Sequence, residues 1–205
     1  MAASLRRLGF EVIEKHDLSL AALTQELKAF GDRTPDFDWA VVYYAGHGIE
    51  VGGVNYLILI DAELAASNHV DDEAMPLDRV LAKVEGAKKL RLVILDACRE
   101  NLFLAKMASA GTTFSIGRGL ARIEPEAGVL VAYSAKDGQV AQDGDGANSP
   151  FAESLLKHLD EPGLEINMLF RRVHDDVKNA TSGQQSPFTY GALPAEALYF
   201  KAAAQ

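Results

Sequence analysis

Three continuous apolar runs constrain this chain more than any other feature. Trp39-Ala-Val-Val-Tyr-Tyr-Ala45, Arg91-Leu-Val-Ile-Leu-Asp-Ala97 and Val129-Leu-Val-Ala-Tyr-Ser134 are strand-sized and lack the polar alternation of a strand with one wet face. Each therefore predicts a strand covered on both faces, as in a parallel sheet. Parallel neighbours need crossover connections, and helical periodicity fills the intervals. Leu20, Leu23, Leu27 and Phe30 form one face of a helix from Leu20 to Phe30, with Asp17 or Ser19 available as its cap. Pro76 suits the first turn of a helix running to Val84, and further helices are read at Phe151 to Leu159 and Asn167 to Asn179. In the last of these Met168, Phe170 and Val173 are expected to be partly buried.

The remaining elements are shorter. Met1 to Leu8 reads as helix ended by Gly9, Phe10 to Ile13 as a brief strand, and Gly46-His47-Gly48 as the end of the first buried run. Ile49 to Val51, Gly52-Gly53 and Val54 to Ile60 spell a β-hairpin. Leu193 to Phe200 is read as a final strand. Nothing in the 205 residues repeats or resembles a linker, so the pattern predicts one α/β domain.

Composition excludes several functions. With 20 Lys+Arg against 29 Asp+Glu, the formal charge of −9 leaves no basic stripe to neutralise nucleic-acid phosphates. No apolar run approaches the roughly 20 residues of a membrane span. Met1 to Phe10 carries no targeting signal, so a cytoplasmic protein is expected. A single cysteine, Cys98, rules out an intrachain disulfide and a cysteine-based zinc site.

That cysteine is either a small buried hydrophobe or a nucleophile. Its position argues for chemistry. In open α/β sheets, sites gather at the carboxyl ends of the strands, and two buried runs end on reactive side chains: His47 and Cys98. On neighbouring strands, about 4.8 Å apart, imidazole could take the proton of the thiol or hold the thiolate as an ion pair. The backbone N–H groups of Gly48 and Cys98 are then candidates for an oxyanion hole. The remaining histidines, His16, His69, His158 and His174, sit in polar surroundings and are read as surface residues.

Tyr43-Tyr-Ala-Gly-His47-Gly and Leu95-Asp-Ala-Cys98-Arg-Glu-Asn resemble the two signature segments of caspase-like cysteine peptidases, in particular the metacaspase and paracaspase branch of bacterial type. The likeness continues through Arg118-Gly-Leu-Ala-Arg122, Ala132-Tyr-Ser and Asp143-Gly-Asp-Gly-Ala-Asn-Ser-Pro-Phe151. A caspase histidine lies about 50 residues before its cysteine, as here. The resemblance implies a three-layer caspase-like fold with a mostly parallel six-stranded sheet flanked by helices. Residues 1–98 would correspond to the large subunit, 99–128 to the linker and 129–205 to the small subunit. It implies His47 as general base and Cys98 as nucleophile.

Specificity follows residue by residue. Caspases carry Gln two positions before the cysteine and hold an aspartate with arginines; here the position is Asp96. A carboxylate there favours Arg or Lys before the scissile bond, and Asp143 matches a second acidic pocket residue of paracaspases. The expected partners are thus protein or peptide substrates with a basic residue at that position. Lys106, Arg118 and Arg122 in the 99–128 segment fit the same specificity and are candidate self-cleavage sites.

No cofactor or metal is expected. Asp143-Gly-Asp145-Gly opens like a calcium loop, but the glutamate of an EF-hand would fall at Ser154. Some metacaspases depend on calcium through other acidic residues, a property nothing in this loop supports. Against the family pattern, the strand that should precede the helix containing Leu5 and Leu8 is missing. The rival reading is a catalytically idle caspase-like module that dimerises through the edge strand Leu193 to Phe200. A flavodoxin-like binding domain is disfavoured because no phosphate-cradling loop follows any strand.

Overall fold

A computed structural model describes residues 1–98, 116–117, 128–136, 139, 141–144 and 146–203, with backbone alone at 98, 116 and 117. Six strands line up in the spatial order β3 (Ala74–Pro76), β2 (Val54–Ile58), β1 (Trp39–Val51), β4 (Leu90–Cys98), β6 (Val129–Tyr133) and β7 (Phe188–Gly191). The two-residue β5 (Ile116–Gly117) adds to the far end of β1. The sheet is mixed. Its parallel part is the trio β1, β4 and β6, which are the three apolar runs, and the flanking pairings are antiparallel.

Helices cover both faces, giving three layers. On one face Leu90, Leu92, Ile94, Leu130 and Ala132 pack against Leu5 of α1 (Ala2–Arg7), Phe151 and Leu155 of α5 (Pro150–Leu159), and Leu169, Val173 and Val177 of α6 (Ile166–Ala180). On the other, Val93, Leu95 and Val131 meet Leu27 of α2 (Leu20–Arg33) and Leu77, Val80 and Val84 of α4 (Leu77–Val84). Alternate residues of each central strand thus enter different cores, which is why these strands read as unbroken apolar runs. A short helix, α3 (Val70–Glu73), precedes β3. None of the helices among the described residues is long and apolar enough to cross a membrane.

Local chemistry explains most boundaries. Ser19 caps α2 by accepting from the Ala22 amide; Asp17 instead takes a positive φ. Gly52 and Gly53, with φ of 62° and 86°, form the two-residue turn that pairs Val51 with Val54.

The structure departs from the expected elements at several points. Phe10–Ile13 is not a strand: no ladder partner lies beside it, and Phe10 and Val12 pack their side chains under the sheet instead. The first buried strand does not stop at Gly46-His47-Gly48 but runs to Val51, because β2 provides a new antiparallel partner from His47 onward. The last strand is Phe188–Gly191. Leu193–Phe200 is not one: Pro194 removes a donor, and Leu198 and Phe200 are buried against the α6 side of the core. The short strand β3 has no signature in the sequence. Met168 is exposed, while Phe170 and Val173 are buried.

No strand precedes α1 among the described residues. Among the described residues, the edge of β1 away from β4 has no ladder partner from Trp39 to Gly46. It borders a cleft of about 590 Å³ lined by Phe10, Ile13, Phe30, Trp39 and Val41, among others.

Candidate active site

Strand register assembles the candidate site. β1 and β4 run parallel with Ala45 opposite Asp96 and His47 opposite Cys98. Adjacent strands lie about 4.8 Å apart, so the two candidate catalytic residues occupy neighbouring positions in the last pair of the parallel β1–β4 ladder, beyond which β1 continues against β2. His47 is exposed, whereas Gly48, opposite Leu57 in the hairpin, is buried.

Tyr44 braces this end of β1. Its hydroxyl lies 2.8 Å from both the His47 and the Ile58 carbonyl oxygens, tying the backbone of the histidine to β2. Burial, partly opposed by these two contacts, pushes its pKa up to about 12, so it remains a donor at any working pH. Its ring also fills the space beside Gly46, where a Cβ would lie 2.5 Å from the hydroxyl oxygen. Glycine before His47 thus answers to the packing of Tyr44.

Asp96 is the most elaborated carboxylate of the site. Its Oδ2 accepts hydrogen bonds from the Tyr43 hydroxyl at 2.8 Å and the Ser149 hydroxyl at 2.6 Å. Burial drives its pKa upward, the Ser149 and Tyr43 donors pull it back, and the negative charge of Asp143 adds to the upward push. Burial and then the Asp96 charge raise Tyr43 well above the ordinary tyrosine range. Asp143 is exposed on the loop that leads into α5, near enough for its charge to act on Asp96.

The structure therefore gathers His47, Gly48, Asp96, Cys98 and Asp143 at one end of the sheet. Lys106, Arg118 and Arg122 lie outside the described residues. Sequence reasoning missed Tyr43 and Ser149. Tyr43 was hidden within an apolar run, and Ser149 is also the N-cap of α5, a role that accounts for a serine before Pro150 with no pocket in mind. His158 also differs from expectation. It is buried between α5 and α6, its Nε2 at 2.9 Å from Asp176. His16 and His69 are exposed as expected.

A three-layer α/β domain with histidine and cysteine in register in the last pair of its parallel β1–β4 ladder is thus defined by fold and site together. The family model of the caspase domain matches residues 1–199, and the chain belongs to this family of cysteine peptidases. A search of curated proteins returned no match.

Proposed function

We propose that this protein is a cysteine endopeptidase that cleaves peptide bonds after Arg or Lys. The observation that carries this reading is the register of His47 with Cys98 on adjacent parallel strands. In the proposed reaction His47 accepts the proton of the Cys98 thiol, and the thiolate attacks the scissile carbonyl carbon. The Gly48 and Cys98 N–H groups stabilise the oxyanion. Collapse of the tetrahedral adduct breaks the C–N bond, and the imidazolium protonates the leaving amine. Water, deprotonated by His47, then attacks the thioester and releases the acid product and the thiol.

Asp96, with Asp143 beside it, is the proposed acceptor of the substrate cation. Its partial burial supports this role, because a carboxylate shielded from water attracts a guanidinium more strongly than a solvated one. Self-cleavage at Lys106, Arg118 or Arg122 is part of the same reading. No cofactor is assigned.

Fluorogenic peptides differing only in Arg, Lys or Asp before the scissile bond test the proposal. Turnover of the Arg and Lys peptides is expected, and it should vanish in Cys98→Ala and His47→Ala. Turnover of Asp peptides alone would overturn the specificity. No turnover, with Cys98 unreactive toward iodoacetamide, would favour an idle module instead. In such a module, pairing between copies would fall to β7, whose Phe188 is exposed, since Leu193–Phe200 is not a strand. Intact-mass comparison of the wild type with Cys98→Ala checks self-cleavage; identical masses would remove it.

A further inference from the structure

Two hydroxyl donors converge on a single oxygen of Asp96, and they come from opposite halves of the chain. Tyr43 reaches it from β1 and Ser149 from the N-terminus of α5. Ser149 does two things at once: its Oγ accepts the Ala152 amide at 2.9 Å, capping the ten-residue helix, and donates its proton to Asp96 Oδ2. The Ala152 N–H, the Ser149 hydroxyl and the carboxylate form a short relay from the positive end of a helix to a negative charge. That arrangement stabilises the ionised form. Among the described residues both donors use Oδ2, and none is bonded to Oδ1.

We infer that Ser149 and Tyr43 are specificity-setting positioning residues: they anchor Asp96 through Oδ2, keep it charged, and leave Oδ1 to receive the cationic side chain before the scissile bond. This inference rests on the reading of Asp96 as the pocket acid. A partly buried carboxylate without the two donors would tend to hold its proton and lose its attraction for a cation. Among the described residues, few charged groups face Asp96. Tyr43 faces it from β1 and Asp143 from the loop before α5, with His47 and Cys98 two positions farther along the same strands. Asp143 opposes ionisation of Asp96, so the donors matter more because it is there.

The test uses matched peptides with arginine or its uncharged isostere citrulline before the scissile bond, and reads the ratio of their kcat/KM values across pH. Ionisation of the catalytic pair affects both peptides alike and cancels in the ratio. Three variants separate the roles. Ser149→Gly keeps an acceptable N-cap but loses the donor, Ser149→Thr keeps cap and donor, and Tyr43→Phe keeps the ring but loses the hydroxyl. The arginine preference of Ser149→Gly and of Tyr43→Phe should fall about tenfold at pH 6, as expected for loss of a hydrogen bond to a charged group. Citrulline turnover should fall by a much smaller factor than arginine turnover, and Ser149→Thr should restore the preference.

The ratio should fall on acidification in the wild type, and the midpoint of that fall should lie at higher pH in Ser149→Gly and Tyr43→Phe. A carbon-13 NMR titration of Asp96 in the Cys98→Ala background reads the same shift without any activity. Equal losses on both peptides, or an unmoved Asp96 titration, would overturn the inference while leaving the pocket assignment intact. A wild type that does not distinguish arginine from citrulline would overturn both.

Discussion

Gly46→Ala isolates a single steric contact. The backbone of Gly46 is ordinary extended strand, so any residue could adopt its conformation. The obstacle is Tyr44. An added Cβ would lie 2.5 Å from its hydroxyl oxygen, 2.8 Å from Cζ and 3.3 Å from Cε1. These atoms belong to a rigid ring whose hydroxyl is held at 2.8 Å by the carbonyls of His47 and Ile58, so the ring can yield only by giving up those contacts. Overpacking of this kind costs about 1–3 kcal/mol, and the disturbed hydrogen bond adds about 1 kcal/mol. A loss of about 2–4 kcal/mol follows, a large part of the stability of an ordinary domain.

The chain has one tryptophan, Trp39 at the start of the same strand, so urea unfolding can be followed by its fluorescence. A double-mutant cycle with Tyr44→Phe sharpens the test. Removing the hydroxyl deletes the nearest atom but leaves the ring carbon, so the double variant should recover about 1 kcal/mol and no more. A Gly46→Ala protein within about 0.5 kcal/mol of wild type, or strictly additive losses in the cycle, would refute the steric account.

Three further expectations follow from the structure. Gly191→Ala should be worse than Gly46→Ala, because its Cβ would run into the backbone carbonyl of Val129 and its φ is 144°; a smaller loss of stability than for Gly46→Ala would contradict this. Asp176 accepts from Lys157 at 2.7 Å, His158 at 2.9 Å and Ser154 at 3.3 Å, and Lys157 chiefly holds its pKa below the ordinary range against the opposing effect of burial. The stability this carboxylate supplies is present above its unfolded-state pKa of about 3.9 and is lost as pH falls through the native value. Asp176→Asn should therefore be less stable than wild type at pH 6, with the gap closing toward pH 2 in thermal melts. Ser19→Ala should cost about 1 kcal/mol through loss of the α2 cap, read by chemical denaturation, while Ser19→Gly should cost only a few tenths.

The sequence alone determined the centre of this protein. Unbroken apolar runs at Trp39–Ala45, Arg91–Ala97 and Val129–Ser134 can be hidden only if both faces of a strand are covered, and the structure places them side by side. The candidate catalytic residues follow, because His47 and Cys98 come just after two of those runs and strand register sets them opposite one another. Periphery was harder to read. Phe10–Ile13 and Leu193–Phe200 have strand-like composition, but strand formation depends on a hydrogen-bonding neighbour, and neighbours are assigned by the whole fold. Ala74–Pro76, with a proline, became a strand because β2 offered it a free edge.

What the tertiary structure decided is the environment of the charges. Asp96 could be picked out from its distance to Cys98 in the chain, but its state depends on Tyr43, 53 residues before it, and Ser149, 53 residues after. Likewise, His158 looks like a surface residue until α6 packs beside α5 and brings Asp176 to its ring. Apolar burial leaves a periodic trace in sequence because water acts on every residue in the same way. A hydrogen bond to a buried carboxylate depends on two particular atoms meeting, and only the completed fold determines which atoms those are.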